Sequence, residues 1–182
     1  DGSSNVAVSN VVIGSPQYSS GDFGMGSDVS SVLIRDGQVF FADRSRRKIM
    51  RYVSGQLKPI SDKGMSAWFD SKISGLAGSK IVSGYDPEND IYYVTLHNDT
   101  AGYNVPLGKW QSRYSFTPTC YSLIDNRMLS FKSANIGETD YIAHSHDGST
   151  RLNFYGTPST AEVTVVSKRS PDSVKTFNAL ST

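Results

Sequence analysis

The feature that most constrains this chain is the alternation of short, β-type apolar runs with turn dipeptides. Residues 32–41 read VLIRDGQVFF, with Asp36-Gly37 between two apolar runs. Asp-Gly is a hairpin signal because both residues tolerate the positive φ that a two-residue loop needs. Arg44-Ser45-Arg46-Arg47 then reads as a polar turn, residues 49–53 as a third strand, Ser54-Gly55-Gln56 as another turn and residues 57–60 as a fourth strand. Four short strands joined by tight turns within about thirty residues have the spacing of one antiparallel propeller blade. No long helical period appears; only residues 65–69, together with Ile73, suit a short helix.

Two similar units follow. Residues 80–85 (KIVSGY) run into Asp86-Pro87-Glu88-Asn89-Asp90, and residues 91–96 (IYYVTL) come next. Aligning Asp36 with Asp86 offsets the units by about fifty residues, within the range of propeller repeats. The third unit takes residues 120–124, the turn Asp125-Asn126-Arg127, residues 128–131 and 141–144, the turn Asp147-Gly148, and residues 152–156 and 161–166. The predicted fold is therefore all-β, with antiparallel sheets resembling propeller blades, a short helix and an extended N-terminal arm. The domain reading is an arm over residues 1–30 and a propeller-like domain over 31–182, with units at about 31–79, 80–119 and 120–182. The arm is rich in Ser and Gly and holds one strand-grade run, VAVSNVVI at residues 6–13.

Composition narrows the function. The 182 residues suit one domain or two small ones. The net charge of +1 gives no overall field to steer nucleic acid or a membrane surface. No apolar run approaches the roughly 20 residues of a membrane span, and no signal peptide is visible. The single cysteine, Cys120, excludes an internal disulfide and reads as a small, partly buried hydrophobe rather than a nucleophile. The first residue is Asp1, not Met, which reads as a processed fragment, an engineered expression product or a piece of a longer polypeptide.

Candidate sites are few. His144 and His146 would share one face of a strand and could reach one metal, but zinc needs three or four ligands and no third is evident, so a polar strand face entering a turn is the better reading. Asp86, Glu88 and Asp90 alternate as in a calcium loop but lack its glycine and distal glutamate, so Pro87, Asn89 and Asp90 fit a hairpin connection better. Arg44, Arg46, Arg47 and Lys48 form one basic cluster without interleaved aromatics, which reads as a solvated turn rather than a phosphate site. Asp22-Phe23-Gly24 and Gly24-Met25-Gly26 lack the surroundings of a kinase element or a dinucleotide site. His97, His144 and His146 have no nucleophile-elbow partner, while carboxylate pairs for glycoside cleavage meet only in space. No residue is assigned as catalytic, cofactor-binding or metal-ligating.

The segment Trp110-Gln111-Ser112-Arg113-Tyr114-Ser115-Phe116-Thr117-Pro118 resembles one in virion proteins of crAss-like and related short-tailed bacteriophages. Phe154-Tyr155-Gly156 and the ending Val163-Thr164-Val165-Val166-Ser167, followed by Pro171, Lys175-Thr176-Phe177 and Leu180, are similar to further elements of those proteins. The resemblance covers residues 31–182 loosely and 110–182 better. It implies a tail nozzle or muzzle component, a homo-oligomeric ring around the DNA-exit channel with propeller-like β domains. Its partners would be neighbouring virion proteins, tail or portal-proximal, and other segments of the precursor. DNA would only pass through, no membrane or cofactor would be involved, and the location would be the virion. The competing readings are a receptor- or glycan-binding propeller at the tail tip, with Trp110 and Tyr114 as the sugar-stacking residues, and a catalytic fragment of unknown type.

Overall fold

The computed structural model describes residues 22–133, 140–147 and 151–162. A 3-10 turn at Val29–Ser31 leads into a four-stranded sheet of β1 (Leu33–Arg35), β2 (Gln38–Asp43), β3 (Lys48–Val53) and β4 (Gln56–Pro59). Helix α1 (Ser66–Ser74) follows, then a second four-stranded sheet of β5 (Ile81–Asp86), β6 (Ile91–Leu96), β7 (Asp99–Asn104) and β8 (Lys109–Tyr114). Strands β9 (Cys120–Ile124), β10 (Arg127–Ser133) and β11 (Tyr141–Ser145) form a three-stranded sheet. A two-stranded hairpin, β12 (Asn153–Phe154) and β13 (Thr157–Pro158), completes the described residues.

Every strand pair is antiparallel. Both four-stranded sheets run in simple sequence order, so each is an up-and-down meander. The all-β expectation holds, and the resemblance to propeller blades is not confirmed. Closed propellers take about four to eight four-stranded blades, and the described residues hold two.

Turn chemistry accounts for the register. Arg35 pairs with Gln38 across Asp36 (φ +48°) and Gly37 (φ +70°), and Ile124 pairs with Arg127 across Asp125 (φ +49°) and Asn126 (φ +59°). Both loops put two residues in the left-handed region, which matches the right-handed twist of the flanking strands. The short helix expected at residues 65–69 begins at Ser66 and buries Phe69 and Ile73, which are one helical turn apart.

The middle layer is the second sheet. All six residues of β6 are buried, and alternation divides them between its two faces. Tyr92, Val94 and Leu96 join Phe40, Ile49, Ile60, Phe69, Ile73 and Ile81 in the core shared with the first sheet and α1. Phe40 and Tyr92 stack with ring centroids 4.5 Å apart. Ile91 and Tyr93 face the other way and pack with Phe116 and Met128, flanked by Tyr114, Tyr121, Phe154 and Tyr155. Two cores built on alternate residues of one strand explain why β6 reads as a continuous apolar run.

The two inner layers meet at a glycine. A Cβ placed on Gly84 of β5 would lie 2.5 Å from the Tyr121 ring of β9, well inside van der Waals contact. Behind that ring the Tyr121 hydroxyl is 2.7 Å from Thr95 Oγ1, which is 2.8 Å from Thr100 Oγ1, and Thr100 donates to the Phe116 carbonyl at 2.6 Å. Burial pushes the pKa of the Tyr121 hydroxyl up, so it stays a neutral hydroxyl in this chain of hydrogen bonds.

Candidate interaction surfaces

The basic cluster is a solvated turn at Ser45, Arg46 and Arg47, which are exposed, and its cations are paired with carboxylates. Arg44 donates two bonds to Asp28, at 2.8 and 2.6 Å, and a third to the Ser79 carbonyl at 2.6 Å. Asp28 is 6% exposed, so the pair is largely desolvated. Arg46 reaches Asp43 at 3.4 Å and Asp22 at 3.6 Å, and Arg47 reaches Asp70 at 3.1 Å. Lys48 pairs with Asp62 and donates to Ser66 Oγ at 3.2 Å. Each cation meets a carboxylate from another part of the chain, so the β2–β3 turn ties down the 3-10 turn, α1 and the loop before it. Sequence reasoning missed Asp28, Asp62 and Asp70 because ion pairs across 14 to 23 positions leave no local pattern.

The acidic turn also serves itself. Asp86 accepts from the Glu88 backbone N–H at 2.9 Å and from Asn89 Nδ2 at 2.8 Å, while Asp90 accepts from the Tyr85 hydroxyl at 2.8 Å. The hairpin reading matches this geometry, with Asp86 paired to Ile91 across the loop. Asp86 and Glu88 line a cleft of about 270 Å³ together with His146 and Asp147, so the structure brings two separate sequence candidates to one place. Among the described residues, no three His, Cys, Asp or Glu are placed to hold a metal. His97 lines a different cleft, beside Lys80 and Lys132.

The polar-face reading of the two histidines is corrected in the same region. Their rings stand edge to face, 4.8 Å apart, and His146 packs 5.0 Å from Phe116. His146 Nε2 is 2.7 Å from Ser130 Oγ, which accepts from the Tyr155 hydroxyl at 2.7 Å. Burial, reinforced by His144, lowers the His146 pKa to about 4, with Asp86 and Asp147 pulling weakly the other way. A base whose folded pKa lies below its unfolded value near 6.5 contributes stability above that value and loses it as pH falls toward 4. Urea unfolding should therefore show a loss of about 1–2 kcal/mol between pH 7.5 and pH 5, and His146→Gln should remove most of that slope. A slope unchanged by the substitution would assign it to other groups.

The proposed sugar-stacking residues are engaged in packing. Trp110 Nε1 donates to the Ile60 carbonyl at 2.9 Å, and its ring packs against Phe69 and Tyr103 at 4.6 and 5.2 Å. Tyr114 packs against Tyr93 and Phe116 at 5.3 and 5.4 Å. Cys120 is corrected as well. It is exposed, because Tyr121 takes the inward position at the start of β9.

Three strands that end their sheets meet in one place. Strands β1, β5 and β9 each end their sheet among the described residues, and they converge on a groove of about 120 Å³. Ile34 and Arg35 of β1, Gly84 and Tyr85 of β5, and Tyr121 and Leu123 of β9 line it. Exposed apolar side chains gather there. Ile34 is 73% exposed and Leu123 42%. Arg35 Nη2 donates to Asn126 Oδ1 at 3.2 Å and fastens the β1–β2 turn to the β9–β10 turn.

The family described as Crassvirus muzzle protein matches residues 5–134. The chain belongs to that family. Muzzle family membership gives it a structural role in the phage and places it in the virion tail. The match begins just before the apolar run at residues 6–13 and ends just after β10, so it takes in both four-stranded sheets and strands β9 and β10. The segment at residues 110–182, where the sequence resemblance was densest, lies within the match only as far as residue 134. No curated protein matches the chain.

Proposed function

We propose that this muzzle-family chain is a non-catalytic subunit of a homo-oligomeric ring around the DNA-exit channel of the tail. The observation that carries the reading is the family match, which includes residues 6–13 along with the sheets. An extended apolar run of that kind needs main-chain partners, and a neighbour's sheet edge supplies them. In a closed ring of identical subunits each copy can offer one strand and accept another. The pairing of Arg44, Arg46, Arg47 and Lys48 with carboxylates supports a channel wall that lets DNA pass without gripping it. Neighbouring virion proteins and further segments of a precursor would complete the assembly.

The test is deletion of the arm. Residues 28–31 are built into the body, since Ser31 Oγ accepts from the Ala42 N–H at 3.0 Å and Ser30 Oγ donates to the Ile81 carbonyl at 2.8 Å. The deletion should therefore stop at residue 21. The expected result is a chain that melts as the intact one does but is monomeric by analytical ultracentrifugation and is not incorporated into particles. Normal assembly of the shortened chain would refute the arm's role.

A further inference from the structure

We propose that the β12–β13 hairpin is an acid-released flap, held on the body by the neutral His144–His146 pair and let go when that pair takes up protons. Among the described residues the hairpin shares no ladder with another sheet, and the contacts that fasten it come from side chains. Phe154 packs against Phe116 and His144, with ring centroids 4.8 and 5.3 Å away, and Tyr155 lies 5.8 Å from His144. The Tyr155 hydroxyl donates to Ser130 Oγ at 2.7 Å, and Ser115 Oγ donates to Ser159 Oγ at 3.2 Å. A lone two-stranded hairpin is marginal in water. Loss of these anchors therefore melts the hairpin as well as freeing it.

The fastening runs through the histidines. Ser130 Oγ accepts from Tyr155, so its own hydrogen goes to His146 Nε2, 2.7 Å away, which a neutral imidazole offers as an acceptor. A proton on Nε2 turns that nitrogen into a donor. The hydroxyl hydrogen of Ser130, a fully buried residue, then loses its acceptor. A second proton, on His144, sets two cations in rings whose centroids are 4.8 Å apart, directly under the hairpin. The charged groups around the pair are Asp86 and Glu88 from the β5–β6 turn, Arg127 and Lys132 from β10, and Asp147 after β11. Tyr93 of β6 and Tyr155 also face the pair, and burial raises the pKa of both hydroxyls, so they stay uncharged in acid. The hairpin brings no charge of its own. Burial lowers the pKa of both imidazoles, and it outweighs Asp86 and Asp147. The open state therefore binds more protons than the closed one between pH 6.5 and about 4, and it gains as pH falls through that window.

Backbone hydrogen exchange of the full-length chain, measured by NMR at pH 7.5 and pH 5 and converted to opening constants with the intrinsic rates, tests the inference. The Ser159 N–H, which donates to the Leu152 carbonyl at 2.7 Å, and the Phe154–Thr157 pair report on the hairpin, and the β6 amides report on the body. The hairpin should open at least tenfold more readily than β6 at both pH values. Its opening constant should rise by about twentyfold from pH 7.5 to pH 5, the factor given by a group with pKa about 4 when closed and 6.5 when open. His146→Gln keeps an acceptor for Ser130 but cannot take up a proton, and should cut the rise below threefold. Tyr155→Phe touches neither imidazole. It removes the bond to Ser130 and should raise hairpin opening at pH 7.5 at least threefold. Equal opening of hairpin and β6 would overturn the proposal, because the hairpin would then leave only when the whole chain unfolds. A hairpin opening constant that does not change with pH, a full rise retained in His146→Gln, or unchanged opening in Tyr155→Phe would overturn it too.

Discussion

Replacing Gly84 by alanine is expected to destabilise the chain by about 2–3 kcal/mol, the size of overpacking in a closely packed interior. In the middle of a strand the backbone alone would favour the change by about 0.5–1 kcal/mol, so a net loss isolates the contact. The reason is the Tyr121 ring, 2.5 Å from where the new methyl would stand, with its hydroxyl anchored on Thr95. The ring cannot retreat without breaking that bond and parting β9 from β5. Urea unfolding checks the size. In a Tyr121→Ala background the same substitution should become neutral or slightly favourable. An equal cost in both backgrounds would show that the glycine matters for some other reason.

The second large effect is expected at Asp28. Its removal leaves the Arg44 guanidinium with only the Ser79 carbonyl in a site from which its carboxylate partner had excluded most water. Breaking a buried pair on one side costs about 3–5 kcal/mol. Arg44 retains 29% exposure, which lowers the expectation for Asp28→Ala to about 2–3 kcal/mol. In a chain of this size that is a fall in melting temperature of roughly 5–10 °C. The double variant Asp28→Leu, Arg44→Met should recover much of the loss, because it removes both charges and restores packing. A single substitution that melts like the parent would show that the β2–β3 turn does not anchor the 3-10 turn.

The parts of the fold legible in the sequence were those governed by neighbours in the chain. Asp36-Gly37 and Asp125-Asn126 announce hairpins because their backbone preference is local, and both form. The run at residues 91–96 reads as a strand, and its continuous apolarity has a cause in the two cores it serves. Strand β7 was not foreseen. Its sequence, DTAGYN, carries turn-type residues, yet it lies between β6 and β8, where Thr100, Ala101 and Tyr103 are fully buried. Gly102 belongs there because Tyr114 and Ile91 crowd its face, at 3.0 and 3.2 Å from where a Cβ would stand. Such positions are set by packing across the sheet, which no local window records.

The same division holds for the candidate sites. The hairpin role of Asp86 and Asp90 could be read from adjacent residues. The roles of Arg44, His146 and Trp110 could not, because their partners Asp28, Ser130 and Ile60 stand 16, 16 and 50 positions away. The groove was hidden for a related reason. Residues 33–35, 83–85 and 121–123 are unremarkable strand segments until topology leaves each at the end of its sheet and brings the three together.

The central claim, a ring-forming structural subunit joined by its arms, is tested most directly by a cryo-electron-microscopy map of the intact virion tail. The account predicts copies of this chain in a closed ring around the DNA-exit channel, each with residues 6–13 paired along a sheet edge of the next copy. Copies placed elsewhere in the particle, or a ring in which every arm folds back on its own body, would contradict it.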